Sequence, residues 1–234
     1  MATLQLFDKL LQFPLFQGMS RDDLSLVAGH TKFGFEKMPP RHVVIEEGGK
    51  ADSLWFLLSG TIQIETLSAD RSYRLTEQAE TPLMLQPESI FGYNQRFTHT
   101  YTTITDCNFL QLNKDEVMRL SESFLVFRLN LLNIFATQTQ KQLAQPWQPC
   151  PRSLRQRVVR FMVDHAVLPT GPKTFYILMT QLAAEVGDSR LDVSRVLNQL
   201  QADGLLSLHR GRIDIPRLEL LSAEASYINK VEER

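Results

Sequence analysis

Two cysteines in 234 residues, Cys107 and Cys150, are too few and too far apart for a disulfide framework, and neither has the neighbouring thiols of an iron–sulfur cluster. The five histidines, His30, His42, His99, His165 and His209, show no short ligand spacing, so neither a metal site nor a haem or other cofactor is expected. Long apolar runs are missing as well. The longest, such as Leu54 to Leu58, have the length of a strand, and the N-terminus lacks the basic start and apolar core of a secretory signal. No membrane span is therefore expected, and the chain is expected in the cytoplasm. There is no nucleophile–base motif and no phosphate-cradling glycine loop, which argues against an enzyme. Charge of one sign is not in excess either, the net being −1. It is unevenly divided, however: residues 150–216 carry nine basic and six acidic side chains, whereas the first 149 carry thirteen and sixteen. A positive local balance on one part of a near-neutral chain is what contacts to phosphate require.

The most informative stretch runs from Thr180 to Asp203. Thr180 is an expected N-cap for a first helix of about two turns that carries Leu182, Ala183 and Val186, and Gly187 permits a tight turn. Ser189 caps a second helix whose Val193, Val196, Leu197 and Leu200 share one face, leaving Arg190, Leu191, Ser194 and Arg195 outward. Gly204 stops that helix. Leu205 to Leu208, the turn His209-Arg210-Gly211, and Arg212 to Ile215 then read as a small hairpin, completing a winged helix-turn-helix.

The run L-A-A-E-V-G-D-S-R-L-D-V-S-R-V-L-N-Q-L-Q-A-D-G-L-L-S-L-H-R-G-R-I resembles the DNA-binding domain of the cyclic-AMP receptor protein and fumarate-nitrate regulator (Crp/Fnr) family. Upstream, short strands are expected at Val43 to Ile45, Leu54 to Leu58, Ile62 to Glu65, Leu83 to Leu85 and Asn108 to Leu112, after helices from Leu4 to Phe16 and Ser20 to His30. Strands at that spacing suggest a small barrel or jelly roll. The wording E-E-G-G-K-A-D-S-L-W-F-L-L-S-G-T-I-Q-I, then I-F-G and I-T-D-C-N-F-L-Q-L, is similar to the cyclic-nucleotide-binding β-roll of the same family. The fold class implied is α+β, with a β-roll sensor over 1–145 and a winged helix-turn-helix over 146–234.

The resemblance implies an effector pocket at Gly92, Tyr93, Arg96, Phe97 and Thr98, and there the sequence departs from the family. Nucleotide-binding relatives run F-G-E and then, several residues on, R-S or R-T; here Tyr93 stands at the glutamate position and Phe97 at the arginine position, over a shortened segment. Arg96 is one residue out of register. Cyclic AMP is accordingly not expected as a ligand, while an unidentified small-molecule effector is left open.

From Ser121 to Gln145 one long helix is expected, with Phe124, Phe127, Leu131, Ile134 and Gln138 at alternating three and four spacing as a dimer seam. A second row, Leu125, Leu129, Leu132 and Ala136, is expected to face the β-roll. The prolines within Gln145 to Pro151 mark a linker, and Arg152 to Ala166 reads as a further helix whose arginines form a solvated face. The family resemblance implies a homodimer that binds double-stranded operator DNA and meets RNA polymerase. Its DNA-contacting residues would be Thr180, Ser189, Arg190, Leu191, Ser194, Arg195 and Arg210. A winged helix that docks a protein is the rival reading; paired guanidinium groups and hydroxyls on the outward face favour DNA over it.

Overall fold

The computed structural model describes residues 2–144, 147 and 151–223. Most of the expected linker, Cys150 included, and the charged end beyond 223 lie outside the described residues. Two compact units emerge, each described by itself: one holds Met1–Ile62, Glu80–Thr98 and Thr102–Gln148, the other Gln63–Ala79, His99–Tyr101 and Pro149–Arg234. The second unit thus takes in segments from well before residue 146, where sequence reasoning put the boundary.

In the first unit α1 (Ala2–Leu10) ends before Pro14, and Pro14–Phe16 forms a separate turn of 3-10 helix, so the single helix expected to Phe16 is broken in two. Proline cannot continue a helix because it lacks the N–H and crowds the preceding turn. As expected, α2 (Arg21–His30) is capped by Ser20, whose Oγ accepts from the Asp23 N–H at 3.0 Å. Strands β1 (Phe33–Met38), β2 (Val43–Ile45), β3 (Ser53–Ser59), β4 (Thr61–Leu67), β5 (Arg74–Glu80), β6 (Leu83–Leu85), β7 (Thr100–Thr103) and β8 (Cys107–Asn113) follow. Of these, β1, β8, β3 and β6 form a four-stranded antiparallel sheet in that order. Leu54 and Phe56 of β3 and Leu110 and Leu112 of β8 belong to one buried cluster with Phe13 and Phe16 from the N-terminal segment, and the Phe13 and Phe56 rings meet edge to face at 5.0 Å.

The long helix is also interrupted. Phe124 adopts extended backbone between α3 (Lys114–Ser123) and α4 (Leu125–Ala144). The expected seam is overturned here: Phe127 is 0% exposed and Leu131 7%, both in the chain's own core, and Phe127 packs on Phe16 with ring centroids 5.6 Å apart. Phe124 and Ile134 pack partly against the same core, and Gln138 donates to Glu88 at 3.2 Å. It is the other row that faces out, with Leu125 58%, Leu129 49% and Leu132 56% exposed. Both rows are apolar, so periodicity alone assigned them the wrong way round. The N-terminal segment decides the matter: Asn130 on α4 donates to the carbonyls of Leu15 and Gln17, locking the Phe127 side inward.

The second unit opens with α5 (Leu154–Asp164), which a capping box between Ser153 and Gln156 starts. Then come β9 (Lys173–Tyr176), α6 (Met179–Val186), α7 (Arg190–Ala202), β10 (Ser207–His209) and β11 (Arg212–Ile215). Its sheet runs β10, β11, β9, β5 and continues past β5 into β4 and β7. Strand β5 was not anticipated. It sets Leu75 opposite Phe175 and Glu77 opposite Lys173, and Leu75 enters a core with Val158, Phe161, Phe175, Leu197 and Leu200. The Glu77 and Lys173 side chains are both 0% exposed, with Nζ 3.2 Å from Oε1. Every strong group there is satisfied: the Glu77 carboxylate also accepts from the Val167 and Leu168 N–H groups, and the Lys173 ammonium donates to the Thr170 carbonyl.

Candidate nucleic-acid interface

The two helices of the helix-turn-helix are joined by a turn that only a few residues could make. Gly187 takes the left-handed conformation (φ 66°, ψ 47°) at the end of α6, and the Asp188 N–H returns to the Ala183 carbonyl at 3.0 Å. A β-carbon is costly at that φ, which is why glycine stands there. The turn is tied down from α5, where Arg157 donates from Nε to the Val186 carbonyl and from Nη2 to Asp188 at 2.6 Å. Arg155 likewise pairs with Asp203 at 2.6 Å. These two arginines are braces rather than the solvated face expected of them.

Thr180 is not the cap of α6. Leu178 holds that position, and its N–H is satisfied by the Gln181 side chain at 2.8 Å, leaving Thr180 exposed as the second residue of the helix. Ser189 does cap α7, accepting from the Asp192 N–H at 3.1 Å, while Val193, Leu197 and Leu200 are buried. On the outer face Arg190 and Leu191 are exposed, Leu191 at 62%, and Ser194 is half-buried, its carbonyl accepting from Asn198. Arg195 is exposed too, and its Nη1 donates to Asp192 at 2.9 Å. Asp192 was absent from the residues singled out by sequence, although S-x-x-D before an apolar run is a capping signal. The Ser189 hydroxyl first, and Arg195 with it, hold the Asp192 carboxyl below the usual carboxylate range. It is therefore a carboxylate at any pH where DNA is read.

Between the wing and α7 lies a groove of about 330 Å³ whose walls include Leu178, Met179, Arg190, His209, Arg210 and Arg212. Arg212 and His209 both reach Asp214, at 3.0 and 3.1 Å, and Asp214 also accepts from Thr174. The Nε of Arg212 is buried and has no acceptor among the described residues. Arg190, Arg210 and Arg212 thus line one concave surface beside α7, the second helix of the helix-turn-helix. Guanidinium groups are suited to phosphate oxygens and to the O6 and N7 of guanine.

In the first unit, the five residues expected at an effector pocket do not converge. Gly92 has a left-handed φ of 94° and lines a cavity of about 260 Å³ with Glu88, Phe91, Phe135, Gln138 and Gln142, but none of the other four shares that lining. Tyr93 stands fully in solvent. Phe97 is 5% exposed, a core side chain, and Thr98 is held by Gln86 through both its N–H and its hydroxyl. Arg96 donates to the Gly48 carbonyl at 2.7 Å. The loop is zipped onto residues 48–51 by the bonds Gly48 N–H to Phe97 O, Phe97 N–H to Gly49 O and Ala51 N–H to Gln95 O.

Residues 35–124 match the cyclic nucleotide-binding domain, and residues 156–224 match the Crp-like helix-turn-helix domain. The chain is 23% identical over 213 residues to a cyclic AMP receptor protein of Thermus thermophilus, covering 89% of this chain and 94% of that one. Among solved structures, the Thermus thermophilus catabolite activator protein superposes with a TM-score of 0.52 at 20% identity, over 91% of this chain and 98% of the other. A transcriptional regulator of the Crp/Fnr family from Eubacterium rectale gives 0.51 at 19%, over 91% and 97%. No described helix is long and apolar enough to cross a membrane. With both family domains present in the family's order and a cationic groove beside the exposed face of α7, the chain belongs to the Crp/Fnr family and is a DNA-binding transcription regulator.

Proposed function

We propose that this regulator acts in the cytoplasm by binding rather than catalysis, grips its operator as a homodimer, and does so without a cyclic nucleotide. The observation that carries the first half is the exposed leucine row of α4. Leu125, Leu129 and Leu132, continued by Ala136 and Leu143, recur at heptad spacing along a helix whose opposite face is already buried. Leucines half exposed to water at that spacing fit a second copy of the helix, each contributing on the order of 1 kcal/mol when the remaining half is covered. Two readers held by such a coiled coil can meet half-sites about one helical turn of DNA apart. In sedimentation velocity the wild-type chain is expected to run as a dimer and the Leu129→Glu, Leu132→Glu double variant as a folded monomer with weakened operator binding. A dimer that survives both charges would place the contact on another surface.

The second half rests on the closed loop at Gly92 to Phe97. A cyclic phosphate buried there would find Phe97 where a cation is needed, and an unpaired buried charge costs several kcal/mol. Titration calorimetry with cyclic AMP and with cyclic GMP is expected to give no binding heat at millimolar nucleotide. A micromolar dissociation constant for either would mean that Arg96 leaves the Gly48 carbonyl and that the loop unzips.

A further inference from the structure

Arg190 and Arg195 look alike in sequence, yet their surroundings differ. No hydrogen bond or ion pair is made by the Arg190 side chain among the described residues, whereas Arg195 ends a continuous relay. Arg157 on α5 holds Asp188, whose Oδ1 accepts from the Ser189 N–H at 2.7 Å. The Ser189 hydroxyl donates to Asp192 Oδ2 at 2.6 Å, and Asp192 Oδ1 accepts from Arg195 at 2.9 Å. We infer that Asp192 is a positioning residue that fixes the Arg195 guanidinium for one base, so that the preference beneath Arg195 is set jointly by a carboxylate that reads no base itself.

Magnitudes favour a role in recognition over one in stability. The Asp192–Arg195 pair is exposed, at 47% and 67% of side-chain area, and such pairs add little to folding. Once α7 is pressed into a groove and water leaves, the same pair strengthens, since the local dielectric falls. A guanidinium already held in one orientation loses less rotamer freedom on binding, and only a fixed fork tells guanine from adenine by two hydrogen bonds. The carboxylate also repels phosphate. Its net effect on affinity for random DNA is therefore unfavourable, and what it adds is discrimination.

This inference rests on α7 being the DNA-reading helix, and the test separates the two claims. The full-length wild-type chain is taken through random-sequence selection, and affinities are then measured for the selected operator and for single-base variants of it. Asp192→Asn, which keeps the shape and removes the charge, is expected to lower discrimination at one position by about tenfold while binding non-operator DNA more tightly. Asp192→Glu, which restores the charge on a longer arm, is expected to recover part of it. In an Arg195→Ala background Asp192→Asn should change discrimination no further. Unaltered discrimination in Asp192→Asn, or an equal loss with and without Arg195, would overturn the inference, with thermal unfolding of each variant showing that the helix is intact. If the wild type itself enriched no sequence, the reading of α7 as the recognition helix would fall, and this inference with it.

Discussion

Replacing Glu77 by alanine is expected to lower the unfolding free energy by about 3–5 kcal/mol, because it leaves the Lys173 ammonium buried without its counter-charge. Neither side chain is exposed to solvent, and removing the carboxylate also takes away the acceptor of the Val167 and Leu168 N–H groups in the turn after α5. Lys173→Met should be milder, since the carboxylate keeps those two N–H donors. Exchanging both together, Glu77→Ala with Lys173→Met, removes the charges as a pair and should recover a good part of the loss of the worse single variant, though not the two N–H bonds. Denaturant unfolding of the four proteins closes a double-mutant cycle. A loss below about 1 kcal/mol for Glu77→Ala would mean that the pair is hydrated in solution.

Phe127→Ala is expected to cost roughly 3–5 kcal/mol of stability, the range for truncating a fully buried aromatic side chain. The ring lies against Phe16, which packs in turn on Phe56, so the cavity would open beneath a three-ring stack that cannot easily collapse. Leu132→Ala, one turn along on the exposed side, should change monomer stability by only a few tenths of a kcal/mol and weaken self-association instead. Chemical unfolding and sedimentation equilibrium on the two variants would separate the two faces of α4. Equal effects on both measurements would show that the helix does not divide its labour in this way.

Those two sites mark where the sequence stopped being informative. Gly187 and Ser189 announced the helix-turn-helix because their backbone and capping roles are local, and the wing followed from Gly204 and Gly211 in the same way. Strands such as β2 and β6 were found at their observed bounds because short apolar runs between turn residues have few other readings. Strand β5 escaped because one of its inward positions is Glu77, so its R-L-T-E-Q-A-E alternation reads as polar surface until Lys173 is known to stand opposite. The orientation of α4 escaped for the converse reason: two apolar faces offer no contrast, and the choice between them lies in Pro14–Phe16, more than a hundred residues away. Asp192 was passed over because its importance lies in what it holds.

The presence of β5 in the same sheet as β9 bears on how such a chain could be recombined. A fragment starting after the prolines near residue 150 would carry every described helix of the DNA-binding unit, yet it would lack the strand that pairs with β9. The free edge of β9 would be open to pairing with any other strand, and Leu75 would be missing from beneath Phe175. Grafting this unit onto a foreign sensor therefore requires that residues 63–79 travel with it, or that the host supply a strand with a carboxylate at the Glu77 position. Inheritance of the two units is discontinuous along the gene, and an exchange at the linker alone would give a protein that sticks to its neighbours before it could find DNA.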